Sequence, residues 1–283
     1  MKTFFLTSLY ALFFLIHSLP AAAQDTITWI YSDFPPVHIT SGPLKGQGYG
    51  DYITTLLINN MPEFHHERLS CNPLRAKELM LQKSKVANPA LLKRPDREKF
   101  IEFSIPAYVV IPNTALIFKR HLEKLTPYLN KEGQLQLARA ITESNLKLGI
   151  NVERAYGGII DETLAKYKTH RNIHTNFTML GSQLALMEKE RIDYAIGYPM
   201  EAQYLNKKYK NRDAIVCIPI EGMPDYYLGY VGCPKNEWGK NVIGKINEVL
   251  LKYRNTPEYK EGYESWLDEN SIKRLREYIK EAY

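Results

Sequence analysis

The sequence predicts an α/β protein built on largely parallel sheets. Segments that read as strands alternate with segments that read as helices along almost the whole chain, the order expected when helices cover a parallel sheet. No low-complexity tract and no short-period repeat interrupts that rhythm. Setting aside the largely apolar first 23 of 283 residues leaves 260, enough for two modest lobes or one large domain.

The elements follow in order. Residues 26–32 (T-I-T-W-I-Y-S) read as an opening strand, stopped by Asp33-Phe34-Pro35-Pro36 because two prolines cannot continue a ladder. The glycine-rich stretch 42–50 is a turn. Asp51 can cap a helix over 52–60, with Ile53, Leu56 and Leu57 on its apolar side. A second helix is expected over 72–82 and a short buried strand over 86–92, ending in the loop 93–96. Segment 100–104 precedes Pro106, and 108–119 is strand-rich, interrupted at Pro112-Asn113. Then come a linker or short helix (122–129), a helix (134–143), a strand (147–152), a helix opened by Gly157-Gly158, a strand (174–179) and a helix (181–189). A strand (192–196), a helix (201–209) and two strands (214–220, 226–233) lead to three closing helices at 241–253, 257–267 and 271–283.

The first 23 residues have the layout of a secretory signal peptide. Lys2 supplies the positive start, 4–19 is mostly apolar, and Ala21-Ala22-Ala23 closes it as a small-residue cleavage site before Gln24. The competing reading is a membrane anchor, but the apolar run is short for a span of about 20 residues. No cysteine follows the site, which argues against lipid attachment there. The expected location is the periplasm.

Composition narrows the partners. Without Lys2 the formal charge falls from +6 to +5, and the excess is spread along the chain. A nucleic-acid reader needs a basic stripe with an organised reading element, and none is visible. The 20 tyrosines suit a polar-aromatic cleft or ordinary half-buried surface. Three cysteines, Cys71, Cys217 and Cys233, permit one disulfide in an oxidising compartment. If one forms, Cys217–Cys233 is the favoured pair; the plain reading is three buried thiols. No spacing suggests a metal site.

Five segments, in this order, resemble family 3 extracellular solute-binding proteins of the amino-acid-binding type. They are the opening strand running into Tyr31-Ser32-Asp33-Phe34-Pro35-Pro36, and the turn Gly48-Tyr49-Gly50-Asp51. The third is Lys93-Arg94-Pro95-Asp96-Arg97 through Phe103-Ser104-Ile105-Pro106, similar to T-P-E-R-x-x-x-x-x-F-S-x-P. The fourth is Leu186 to Ala195, similar to the element ending L-x-x-G-R-x-D-A. The fifth is Tyr230-Val231-Gly232-Cys233-Pro234-Lys235 before the long helix. The resemblance implies a two-lobed periplasmic-binding-protein-like fold (type II) with a ligand cleft between the lobes and closure by hinge motion. It also implies a discontinuous first lobe, 24–111 plus 222–283, with 112–221 as the second.

Candidate ligand residues come from the same comparison. Arg97 matches the arginine that pairs with a ligand carboxylate, a role that suits its two-pronged donor geometry. Phe34 and Tyr31 stand where an aromatic often stacks on ligand. Trp29, at alternate spacing from Tyr31, shares a face with it, with core packing as the alternative. Asp33 could bind an amine or cap a turn. In the second lobe, Arg154 and Tyr156 lie in the turn expected to face the cleft. Two departures matter. Leu92 replaces the usual threonine, and Tyr198 stands where the ammonium-binding aspartate is expected. Losing that carboxylate would leave an α-ammonium poorly paired in a desolvated cleft, which puts a plain α-amino acid in doubt and makes a carboxylate or aromatic ligand lacking the amine the alternative to test.

No nucleophile motif and no acid/base spacing stands out. His65-His66 reads as solvated surface rather than a metal site, and the last helix as a charged cap. No cofactor is expected. The leading expectation is a monomeric periplasmic protein that binds a small molecule and passes it to an ABC permease. The alternatives are a module that reports ligand to a membrane sensor and a dehydratase-like enzyme on the same fold.

Overall fold

The computed structural model describes residues 24–152, 154–176, 180–209 and 214–282. The signal-like segment 1–23 lies outside them, as do 177–179 at the end of the strand expected over 174–179. The strands form two mixed sheets. The first takes β1 (Thr26–Tyr31), β2 (His65–Ser70), β3 (Val86–Leu92), β4 (Ile101–Phe103), β5 (Tyr108–Val110) and β11 (Tyr227–Pro234), in the order β2-β1-β3-β11-β4 with β5 also on β11. The second takes β6 (Thr114–Phe118), β7 (Leu148–Asn151), β8 (Ile173–Asn176), β9 (Tyr194–Gly197) and β10 (Ile215–Ile218), in the order β10-β6-β9-β7-β8.

The expectation of largely parallel sheets needs correction. β1 pairs parallel with β2 and β3, and β7 with β8 and β9. But β11 runs antiparallel to β3, β4 and β5, and β6 antiparallel to β9 and β10. The reversed strands are those that begin or end the passage between sheets. The chain leaves the first sheet after β5 through Ile111-Pro112-Asn113, and β11 brings it back.

Both sheets are covered on two sides, and alternation shows how. On β6, Ala115 and Ile117 face one core with Leu148, Ile160 and Ile196, while Leu116 and Phe118 face another with Leu180, Leu184 and Leu205. All five β6 residues are buried. In the first sheet Ile27 and Trp29 join the main core, and Ile30 points to a smaller one with Met80 and Ile101.

Helix ends follow local chemistry. α1 (Tyr49–Asn59) starts earlier than the sequence suggests, so Asp51 acts from inside the first turn and reaches back to Gly48 N at 3.1 Å. α2 (Pro73–Leu81) is capped by Asn72 on Arg75 N and has Pro73 in its first turn. α3 (Leu137–Glu143), α4 (Gly158–Lys166), α5 (Leu180–Glu188) and α6 (Pro199–Lys208) pack on the second sheet's strands. α7 (Glu237–Tyr253) is capped by Asn236 on Gly239 N at 2.7 Å. It buries Val242, Ile243, Ile246, Val249 and Leu250, a helical stripe. α8 (Pro257–Glu264) and α9 (Glu269–Ala282) close the chain. Two helices end the same way. After α5, Glu190 N donates to Met187 O and Arg191 N to Leu186 O, with Glu190 at φ 51°. After α2, Lys83 at φ 56° does likewise, with Lys83 N on Met80 O and Ser84 N on Leu79 O. This is the Schellman ending, whose left-handed position glycine usually fills.

One further expectation changes in part. His65 and His66 lie on strand β2; His65 is exposed as expected, whereas half-buried His66 accepts through Nδ1 from Trp29 Nε1 at 3.1 Å and its Nε2 meets Met61 O at 2.8 Å. The three cysteines are free thiols. Cys217 lies on β10 and Cys233 on β11, strands of different sheets, so the two are unpaired and the free-thiol reading holds.

Candidate ligand site where the lobes meet

β7 and β9 are parallel neighbours, with Leu148 opposite Tyr194 and Gly149 opposite Ala195. The turns that leave their carboxyl ends are therefore adjacent, the usual place for a site in an α/β sheet. The turn after β7 carries Arg154 and Tyr156. The turn after β9 carries Tyr198 and opens α6, whose first turn holds Glu201. Pro199 in that turn fixes a helical start without needing a backbone donor.

These residues form a tight constellation. Arg154 Nη1 donates to Glu201 Oε1 at 2.9 Å and Nη2 to Oε2 at 2.6 Å, a two-pronged pair. Nη2 also donates to Asn113 Oδ1 at 3.0 Å. Asn113, from the first passage between sheets, is itself buried and donates through Nδ2 to Tyr156 O at 2.8 Å. Glu201 Oε2 accepts Tyr198 N at 3.0 Å, and the Tyr156 hydroxyl accepts Asn151 N at 2.9 Å.

Aromatic rings complete the enclosure. Arg154 Cζ lies 5.2 Å from the ring centres of Tyr156 and Tyr198 and 5.8 Å from that of Phe34. Phe34 belongs to the turn after β1, so this last contact joins the two lobes. The side chain of Arg154 is 18% exposed and that of Glu201 6%. Burial alone would pull the guanidinium's pKa down, but the Glu201 charge and hydrogen bonds outweigh it and hold it above the ordinary arginine value. Burial also pushes the hydroxyls of Tyr156 and Tyr198 up, so both stay neutral donors at ordinary pH.

The other end of α6 also crosses between lobes. Lys207 Nζ lies 4.6 Å from the Trp266 ring and donates to Ser265 O, and Tyr204 meets Trp266 with ring centres 6.0 Å apart. Met200 is buried in the first sheet's core.

Of the residues singled out from sequence, Phe34, Arg154, Tyr156 and Tyr198 come together here. Arg97 sits apart, in the turn between β3 and β4, half-buried. Its Nη1 donates to Leu92 O at 3.0 Å. Burial first, then the charge of Arg94, pulls its guanidinium below the ordinary arginine value. Arg94 pairs with Asp96 at 2.9 Å and Lys93 with Glu98 at 3.0 Å around it. The Tyr31 ring meets His38 at a 40° tilt, with ring centres 5.1 Å apart. Asp33 caps a turn, accepting Thr40 N at 3.1 Å and Thr40 Oγ1 at 2.6 Å. Trp29 is fully buried in the core.

Sequence reasoning missed Glu201 and Asn113. An acid in the third position of a helix that starts with Pro199 was a usable signal, since such a residue turns back to the helix start. Asn113 read only as an interruption.

No family model matches the chain, and no curated protein matches it. Solved structures do. The probable amino-acid ABC transporter extracellular-binding protein ytmK from Bacillus subtilis is 14% identical, with a TM-score of 0.64 over 87% of this chain and 98% of that one. A histidine kinase sensor domain with similarity to periplasmic binding proteins is 15% identical, with a TM-score of 0.60 over 86% and 96%. The P235GK mutant of ArgBP from T. maritima is 13% identical, with a TM-score of 0.58 over 86% and 95%. Identities this low speak for the fold. The two sheets, their order and this coverage of both partners give one conclusion: the chain has the two-lobed α/β fold that these periplasmic-binding-protein-like structures share.

Proposed function

We propose that this protein binds a small polar or anionic solute between its two lobes, outside the cytoplasm, and delivers it to an ABC-type uptake transporter. The observation that carries the reading is the meeting of Phe34 from the first lobe with Arg154, Tyr156 and Tyr198 from the second. Residues far apart in sequence, on turns at the carboxyl ends of three strands, converge at the junction of two lobes, where such folds hold ligands. In this reading the lobes comprise 24–111 plus 222–283 and 112–221, and 1–23 is a cleaved signal. Arg97 lies apart from the Arg154 cluster with Nη1 on Leu92 O, and in this reading its remaining donors take the solute's anionic group. Tyr31 and Phe34 offer it aromatic surface, and Asp33 offers a carboxylate at the rim.

The solute's charge follows from what the site lacks. Tyr198 occupies the position of the expected ammonium-binding aspartate, and the nearby carboxylate, Glu201, is committed to Arg154. An α-ammonium group gains no buried partner there.

A second reading is a ligand-sensing module for a membrane sensor. It is favoured by the contact between the lobes through Arg154 and Phe34 and by the likeness to a kinase sensor domain.

A thermal-shift screen of the purified protein against amino acids, amines, organic acids and peptides tests the binding reading. A binder raises apparent stability by mass action. Organic acids should score and simple cationic amines should not. A screen in which nothing in these classes shifts the transition would overturn it. N-terminal sequencing of periplasmic material tests the location, with Gln24 as the expected first residue.

A further inference from the structure

The Arg154 constellation has the parts of a finished binding site for a guanidinium ion. It has a carboxylate fork in Glu201, an amide acceptor in Asn113 and three rings, from Tyr156, Tyr198 and Phe34. Each part is held by something else. Asn113 is fixed by Tyr156 O, Glu201 by Tyr198 N, and Tyr156 by Asn151 N. A buried ion pair built this fully is rigid, because its partners are satisfied and positioned before anything arrives. It is also neutral overall, so it adds no net charge to the junction.

We propose that Arg154 is a built-in ligand: its guanidinium fills the cation slot of the junction, anchored to the second lobe by Glu201 and Asn113 and capped by Phe34 of the first. Two consequences follow. The first is specificity, and it rests on the binding reading given above. A solute's amine or guanidine finds its place taken and its carboxylate partner spent, so the site rejects cationic groups and accepts carboxylate or neutral polar ones. The second is conformational. A cation held by one lobe under an aromatic ring of the other draws the lobes together without any solute, as a bound ligand would.

The test is chemical rescue, which needs no knowledge of the natural solute. In Arg154→Ala the slot is emptied while Glu201, Asn113 and the rings remain. Methylguanidinium chloride should raise the Tm of this variant in a saturable, dose-dependent way. It should not raise the Tm of the wild type, whose slot is filled, nor of Arg154→Ala/Glu201→Gln, which lacks the carboxylate. Methylurea, the neutral isostere, should rescue none of them. An equal shift in wild type, or no shift in an Arg154→Ala protein with a wild-type circular dichroism spectrum, overturns the proposal. Phe34→Ala provides a second measurement that leaves the ion pair untouched. Small-angle scattering without solute should give it a larger radius of gyration than wild type, and an unchanged radius overturns the capping role, whether or not Arg154→Ala folds. A failed solute screen would sink the binding reading and leave these results unaffected.

Discussion

His38 and Asp51 share a hydrogen bond sealed from solvent, with His38 Nδ1 2.9 Å from Asp51 Oδ1 and neither residue more than 6% exposed. The second carboxylate oxygen accepts Ile39 N and Gly48 N, each at 3.1 Å. One side chain thus ties the turn that presents Phe34 to the start of α1. Asp51→Ala leaves two backbone donors and an imidazole without an acceptor and should cost about 2–4 kcal/mol of stability, measured by urea unfolding. Burial raises the Asp51 pKa, but the hydrogen bonds from His38, Ile39 and Gly48 outweigh it and hold it below 3.8. A carboxylate depressed in the folded state contributes stability that is full above its unfolded value and lost as pH falls through that value toward the folded one. The wild type should therefore lose stability as pH drops through and below 3.8, and Asp51→Asn should lack this component of the loss.

Glu201→Gln should cost about 3–5 kcal/mol, because it strips the partner from a mostly buried guanidinium. Arg154→Met alone should also destabilise. Combined, the two should cost less than their sum, since the double variant buries neither charge. A double-mutant cycle in urea measures this, and strict additivity would show that the pair is not coupled.

Glu190 and Lys83 hold left-handed backbone that a Cβ disfavours. Glu190 also stands at the glycine of the L-x-x-G element that this segment resembles. Glu190→Gly and Lys83→Gly should each raise stability by about 1 kcal/mol, an unusual sign for mutation to glycine and visible as a higher unfolding midpoint.

Cys233 is fully buried, its thiol pushed up by burial, and the Cys217 thiol is pushed up to about 12 by the same cause. Cys71 and Cys217 are both half-buried, but the high pKa of Cys217 leaves less thiolate there, so native protein should react with a thiol reagent first at Cys71, more slowly at Cys217 and last at Cys233. Unfolded protein should titrate three thiols without reductant. A count of one would restore the disulfide.

Arg97→Ala should weaken binding of the solute found in the screen by about 2–5 kcal/mol if its anionic group is desolvated there. Calorimetry on wild type and variant measures it. Asp33→Asn should matter only for a solute that carries an amine.

Much of this architecture was legible in the sequence because its signals are local. The apolar periods of α7 and the two-faced β6, with every residue buried, are visible in composition alone. β2 was not, because His-His-Glu-Arg-Leu-Ser carries no alternating apolar face; five of its six residues are exposed, and it is a strand only because β1 offers it a partner. Strand direction was misjudged for a related reason. Antiparallel β11 answers to β3, β4 and β5, and no local pattern records that. In the site, Arg154 and Tyr156 were findable because they follow a strand, as site residues do, and Tyr198 because it stands at the position of the aspartate that the resemblance implies. That Arg154 would be consumed by Glu201 was not, since their pairing depends on β7 lying beside β9.

β11 also dictates an order of events during synthesis. It sits between β3 and β4, so the first sheet has a gap down its middle until residue 234 has been made, whereas every strand of the second sheet lies between residues 114 and 218. Closing the gap joins Leu92 to Gly229 across roughly 140 residues, an entropic cost that rises only with the logarithm of loop length but delays the step. The second lobe can therefore be complete while the first still presents the bare backbone edge of β3, an invitation to pairing with the wrong chain. The edge of β3 is therefore where a chain shortened before β11 should aggregate.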